Sequence, residues 1–209
     1  GNELTQAGER LGYGKVYESN AMMLQSALLD AGFDVVNLYQ IADDFEATQS
    51  VLREAIGAND VVLVSGGISV GDYDFVGKAL DSLGVNELFY KVNQKPGKPL
   101  YVGNLDKKII FALPGNPAAS LTCFYVYVKP MLHKLSGFPA QFGFIQTRKL
   151  SHDYRIDNIR DLILKAKTNG EEVTILPHQD SGMLDSFAVA DALVYCPNGN
   201  YPLAKGVLV

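Results

Sequence analysis

The run Val61-Val62-Leu63-Val64, followed at once by Ser65-Gly66-Gly67, constrains the fold more than any other stretch of the chain. Four consecutive apolar residues leave no polar face, so a strand built from them must be covered on both sides, as in parallel sheets with helices packed on each face. A glycine-rich turn directly after such a strand leads here into a helical pattern from Tyr73 to Leu83, closed by Gly84. This strand, turn and helix order predicts an α/β sheet with crossover helices.

The neighbouring segments extend that pattern. Ser19-Asn20 offers an N-cap to the apolar-periodic run Ala21 to Asp30, Gly32 supplies a stop, and Phe33 to Ile41 reads as a strand. Asp43-Asp44 can cap a helix from Phe45 to Ala58, and Val85 to Val92 is a further strand. Leu100 to Val102 and Lys108 to Leu113 flank Gly103-Asn104-Leu105-Asp106, which predicts a hairpin turn. A long helix starts at Asn116-Pro117 and runs to Leu135, ahead of Gly137 and Pro139. Beyond Pro139 the runs Phe142 to Thr147, Leu162 to Ala166, Glu172 to Leu176 and Ala192 to Cys196 are strand patterns, with turn signals at Asn169-Gly170 and Pro197 to Asn200. Two units are expected, an α/β domain over residues 1–138 and a small all-β domain over 139–209.

Composition removes several function classes. Lys plus Arg number 18 against 23 Asp plus Glu, a net charge of −5, so neither nucleic acid nor an anionic membrane surface is expected as a partner. No apolar run is long enough to span a bilayer, and no signal-peptide order opens the chain. Cys123 and Cys196 share no ligand or disulfide spacing, which fits a reducing cytoplasm, and Cys123 is expected as a core thiol. His133, His152 and His178 have no metal-ligand spacing.

Three loops carry candidate chemistry. Ser65-Gly66-Gly67-Ile68-Ser69-Val70-Gly71-Asp72-Tyr73-Asp74 joins a strand to a helix start, where free amides and the helix dipole attract an anion and glycines permit close approach. A tight turn capped by Ser69 or Asp72 fits the same residues. The loop is neither a Walker A motif nor G-x-G-x-x-G, which argues against a nucleotide-binding module. Lys95-Pro96-Gly97-Lys98-Pro99, preceded by Lys91, sets cations on a stiff loop able to face an oxyanion, or forms a solvated basic turn. Leu113-Pro114-Gly115-Asn116-Pro117 again joins a strand to a helix. Loops from the strand ends of one α/β domain meet at the crevice where such sheets bind ligands. Asp43 and Asp74 should reach the same edge, as Mg²⁺ ligands beside a phosphate or as helix caps.

In this order the three loops resemble the signature loops of the MoeA and gephyrin E-domain family. Gly1-Asn2-Glu3-Leu4 and Glu18-Ser19-Asn20 are similar to two further motifs of that family, so the resemblance spans the whole chain. It implies a three-layer, MogA-like molybdopterin-binding domain followed by a small β-barrel-like domain. The activity implied is that of a transferase in molybdenum cofactor biosynthesis. Adenylylated molybdopterin and molybdate are its substrates, AMP is released, and Mg²⁺ is required. Asp43 and Asp74 fall on the family's acidic positions, Lys91, Lys95 and Lys98 on its basic ones, and Pro114 and Pro117 on its proline loop. Gly66, Gly67, Ser69 and Gly71 are assigned to the pterin-side phosphate, with Gly115, Asn116 and Ser181 completing the cofactor contacts. Arg160 resembles a basic position of the second domain, where Lys165 also lies. The resemblance further implies a homodimer that meets other molybdenum cofactor proteins. The family's two leading domains have no counterpart here, so this chain alone is expected to have little or no turnover. Two rivals remain, a MogA-like molybdopterin adenylyltransferase, against which the trailing β domain argues, and a non-catalytic scaffold like the gephyrin E domain.

Overall fold

A computed structural model describes residues 4–42, 44–68, 75–138 and 145–209. Strands β1 (Leu4–Thr5) and β2 (Val16–Tyr17) pair in parallel, and α1 (Asn20–Asp30) follows. Then come α2 (Phe45–Ala58), β3 (Val61–Ser65), α3 (Phe75–Ser82), β4 (Asn86–Tyr90), β5 (Gln94–Lys95), β6 (Tyr101–Leu105) and β7 (Lys108–Leu113). One continuous helical segment closes the first unit: α4 (Pro117–Cys123), a π-helical turn (Phe124–Val128) and α5 (Lys129–Leu135).

The central sheet has the order β3-β7-β6-β4, with β3 parallel to β7 and the other pairs antiparallel. It is covered on both faces, as the apolar run of β3 requires. On one side Leu52, Ala55 and Ile56 of α2 and Val76, Ala79 and Leu80 of α3 bury against Val62, Val64, Ile110 and Ala112. On the other side Leu24 and Ala27 of α1 and Leu121 and Phe124 of the last helical segment bury against Phe111 and Leu113. This is the three-layer α/β architecture that the alternating pattern predicts.

Within the first unit, local details depart from the sequence reading in four places. Phe33 to Ile41 forms no strand. Its Val35 and Leu38 are exposed, and among the described residues β3 has β7 alone as a ladder neighbour; an apolar extended pattern specifies an extended chain but not the partner that would make it a strand. The hairpin turn falls on Asp106 and Lys107, since Leu105 pairs with Lys108 and Asp106 takes φ +53°. Gly103 lies inside β6, where a Cβ would come within 2.8 Å of the Tyr101 hydroxyl and of Val85. The long helix is interrupted by a π turn because Pro130 has no N–H for an i→i−4 bond; the Lys129 amide instead reaches the Phe124 carbonyl. For α1 the capping acceptor is Glu18, whose Oε1 takes the Ala21 amide at 2.9 Å. The carboxylate of Asp44 caps α2 by accepting from Ala47 at 2.8 Å.

The second unit comprises β8 (Lys149–Leu150), β9 (Tyr154–Asn158), β10 (Asp161–Asn169), β11 (Glu172–Ile175), β12 (Ala192–Cys196) and β13 (Gly199–Leu203). The Asn169-Gly170 turn joins β10 to β11 as predicted, with Gly170 at φ +60°. The expected strand over Phe142 to Thr147 is not formed at residues 145–147, and its remainder lies outside the described residues. Sheet β12-β10-β11-β8 faces the pair β13-β9 across a core of Leu150, Ile156, Leu164, Val173 and Val194. The two sheets are not joined into a closed barrel. Strand β5 of the first unit adds to this sheet, pairing in parallel with the start of β10.

At that start the Asp161 carboxylate accepts from the Asn198 amide at 2.9 Å, the Asn198 side chain at 3.0 Å and the Tyr195 hydroxyl at 2.9 Å. The Asn198 amide first and these side-chain donors hold it below the usual carboxylate range. Because the folded-state value is depressed, its contribution to stability is complete above the ordinary unfolded value, about 3.9, and is lost as pH falls through the lowered one. Thermal midpoints recorded from pH 6 downward should therefore drop less steeply for Asp161→Asn than for the parent chain. The hairpin makes a separate prediction. Gly103→Ala should destabilise by about 1–3 kcal/mol through overpacking, whereas Asp106→Gly should stay within about 1 kcal/mol of the parent. Equal denaturation midpoints for the two variants would return Gly103 to the turn.

Candidate functional site

The cleft is built where β3 and β7 end. Their last residues, Ser65 and Leu113, are register partners, and the Gly66 amide donates to the Leu113 carbonyl at 3.1 Å. After these two adjacent parallel strands the chain leaves in opposite directions, α3 packing on one face of the sheet and α4 on the other. Such divergence opens a crevice at the carboxyl ends of the strands. The glycine loop and the proline loop therefore start side by side, and a Cβ on Gly115 would lie 3.7 Å from the Cα of Gly66. Gly67, at φ +67°, has no room for a side chain, since a Cβ would stand 2.7 Å from Val76 Cγ2. Asn20 ties both loops to α1, donating from Nδ2 to Ser65 Oγ and to the Gly115 carbonyl at 2.7 Å each.

The resulting cleft holds about 460 Å³. Gly66, Gly67, Lys95, Lys98, Pro114, Gly115, Asn116 and Ser181, all singled out from the sequence, line it. Arg160 adds a third cation from the second unit, and none of the described lining residues is acidic. Pro117 is the first residue of α4 and is not among the lining residues. Lys91 is also off the wall; at φ +66° its ammonium sits 4.7 Å over the ring of Tyr90, whose hydroxyl donates to the Ile68 carbonyl. Asp43, Ser69, Gly71 and Asp74 lie outside the described residues. Among the described residues no three His, Cys, Asp or Glu side chains gather to hold a metal.

The second unit reaches the cleft through the loop bearing Gln179 and Ser181. Asn116 Nδ2 donates to Ser181 Oγ at 2.9 Å, and the Ser181 carbonyl accepts the amides of Ala118 and Ala119 at 3.0 and 3.3 Å. Two first-turn amides of α4 are thus already satisfied within the chain. The proline loop supplies a wall and a register for the cleft while those N–H groups serve the join between the units.

Lys165 organises this loop from inside. It is 3% exposed, and its ammonium donates to the carbonyls of His178 at 2.7 Å, Met183 at 3.1 Å and Asp180 at 3.5 Å. The ring of Phe187 lies 5.5 Å away. Burial holds its pKa below the ordinary lysine value, against the opposing pull of Asp185 and Asp180. Gln179 completes the wrap, accepting from the Lys165 amide and donating to the Lys165 carbonyl at 2.9 Å each. His178 Nδ1 donates to Asp185 at 2.6 Å. Lys165 therefore acts as an internal strut and not as a cleft cation. The sequence marks Lys165 only as a basic residue near Arg160 and does not mark Gln179, because both work through backbone groups brought to them by the fold.

Comparison with known proteins agrees with this fold. Residues 1–134 match the family described as "Probable molybdopterin binding domain", which defines the class of the α/β unit. Residues 150–209 match the MoeA C-terminal region, domain IV. The chain belongs to the MoeA family. It is 32% identical over 214 residues to a molybdopterin molybdenumtransferase of Staphylococcus epidermidis, covering 100% of this chain and 51% of that one. It is 30% identical to the molybdenum cofactor synthesis protein cinnamon of Drosophila melanogaster, covering 98% of this chain and 35% of that one. The crystal structure of the molybdopterin biosynthesis MoeA protein of Pyrococcus horikoshii superimposes with a TM-score of 0.79 at 28% identity, over 99% of this chain and 50% of that chain. The chain spans about half the length of the bacterial and archaeal relatives it matches.

If Lys165 is the strut of the Ser181 loop, Lys165→Met should leave three carbonyls without their donor and loosen the join at α4. Hydrogen exchange at the Ala118 and Ala119 amides should then accelerate by about tenfold, the scale of one hydrogen bond. Exchange at the parental rate in a folded variant would remove the strut role.

Proposed function

We propose that this cleft takes molybdopterin in its adenylylated form, and that the chain contributes the site at which a molybdopterin molybdenumtransferase inserts molybdate and releases AMP. One observation carries the reading: three cations and no described carboxylate line a crevice between two touching, glycine-bearing loops. A pyrophosphate link and a molybdate are both oxyanions. Fixed positive charge around them stabilises the charge that develops as the link breaks, at little reorganisation cost.

In this reading Lys95 and Lys98 hold the oxyanions from one wall. Gly66 and Gly67, with Ser69 and Gly71 following in the chain, receive the pterin-side phosphate, because a backbone without Cβ atoms lets amides approach closely. Pro114, Gly115, Asn116 and Ser181 form the opposite side, and Pro117 starts the helix behind them. Lys91, seated over Tyr90, adds charge behind the glycine loop. Asp43 and Asp74 are assigned to Mg²⁺, which would offset the charge of the leaving phosphate when bound. They stand in the chain next to Asp44, the cap of α2, and Phe75, the first residue of α3. A division at residue 138, a cytoplasmic setting and a homodimer that meets other molybdenum cofactor proteins complete the proposal. Among the described residues no helix is long and apolar enough to cross a membrane.

Lys95→Ala and Lys98→Ala test the reading directly. Each should weaken binding of adenylylated molybdopterin by roughly 10- to 100-fold, the range for one charge-assisted hydrogen bond. Each should shift stability by less than about 0.5 kcal/mol, as exposed lysines do. Calorimetry paired with thermal melts reads both quantities, and parental affinity in either variant would take that lysine out of the site.

A further inference from the structure

We propose that Gln94 is a positioning residue that sets the shape of the lysine loop and thereby the placement of both ammonium groups at the cleft. The proposal rests on the oxyanion reading of that cleft. Gln94 is 5% exposed, a polar side chain enclosed behind the loop. Its carbonyl end accepts from the Tyr127 hydroxyl, and its amino end donates to the Pro96 carbonyl at 2.9 Å. Only this orientation satisfies both partners. Turned over, the amide would set its oxygen against the Pro96 oxygen, so the acceptor-only Pro96 carbonyl fixes the orientation and the Tyr127 hydroxyl donates to the oxygen end that remains.

The surrounding contacts leave the loop little other freedom. Gly97 takes φ +92°, and a Cβ there would come 2.6 Å from Cys123 Sγ and 2.9 Å from Gln94 Nε2, so the loop lies flat on this pair. The Cys123 thiol, whose pKa burial pushes up to about 12, stays protonated and faces the Gly97 carbonyl at 3.8 Å. The loop is closed at one end by the Lys98 carbonyl, which accepts the Val92 and Leu100 amides at 3.0 Å each. At the other end it is tied to the second unit. Gln94 and Lys95 pair with Asp161 and Leu162, the Asp161 amide donates to the Asn93 carbonyl at 3.1 Å, and Arg160 Nη1 lies 3.5 Å from the Gln94 carbonyl. Between these anchors the bond from Gln94 to Pro96 reaches inside the loop, between Lys95 and Lys98. An apolar side chain of equal volume would fill the space and leave the Pro96 carbonyl and the Tyr127 hydroxyl without these partners.

The test uses the whole chain, with inorganic pyrophosphate as the probe. Gln94→Met should accelerate amide exchange at Gly97 and Lys98 by about tenfold and weaken pyrophosphate binding by a similar factor, the scale of one hydrogen bond. Gln94→Glu keeps the acceptor for Tyr127 but has no donor for Pro96, so it should behave like Gln94→Met. Tyr127→Phe removes one oxygen and should loosen the loop even if Gln94→Met fails to fold. In a Lys95→Ala/Lys98→Ala background, Gln94→Met should cost no further affinity, because a residue acting through the lysines has nothing left to position. Parental exchange and affinity in Gln94→Glu and Tyr127→Phe would overturn the proposal, as would an undiminished loss in the lysine-free background. If the parent itself binds no pyrophosphate, the oxyanion reading falls, and exchange at Gly97 and Lys98 alone decides the role of Gln94.

Discussion

The parallel pairing of β3 with β7 is the contact on which the rest of the site depends. Its register places Ser65 opposite Leu113, so the glycine loop and the proline loop begin at the same height and one strand spacing apart. Because α3 and α4 then leave for opposite faces of the sheet, the loops diverge and the space between them stays open. A slip of one residue in that pairing would turn the alternating side chains of β3 to the wrong helix layer. The hydrophobic layers on the two sides of the sheet thus hold the cleft in register.

Backbone hydrogen bonds, rather than a broad apolar interface alone, attach the second unit. Strand β5 lies in the first unit by sequence and in the second unit's sheet by pairing, so the lysine loop starts at the boundary itself. The Ser181 carbonyl supplies the other attachment by accepting two amides of α4. With both connections flanking the cleft, a change in the relative position of the units would move the cleft's cationic wall and its serine wall together. The polar groups behind these walls, Gln94 on one side and Lys165 on the other, are buried and multiply bonded. Buried polar groups of this kind favour one arrangement over others because any alternative strands a donor or acceptor away from water.

Much of this was legible in the chain. The apolar run of β3, the stop at Gly32, the cap at Asp44, the turn at Asn169-Gly170 and, among the described residues, the start of the glycine loop and the two proline-containing loops each follow from short-range rules of sterics, capping and periodicity, and each appears where those rules put it. The π turn also has a local cause in Pro130, although a helical pattern read only for its apolar period passes over it. The sequence by itself therefore determined which segments form the α-helices and most of the strands, since these depend on neighbours within about four residues, while the meeting of the loops at one cleft needed the pairing of β3 with β7. Tertiary structure alone decided that Phe33 to Ile41 finds no strand partner, that Gly103 serves packing instead of a turn, and that Lys165 is a strut while Arg160 lines the cleft. Those outcomes depend on groups far apart in the chain, such as Gly103 with Val85 or Ser181 with Ala118. A residue's type states what it can bond, and only the packed fold states which partner it meets.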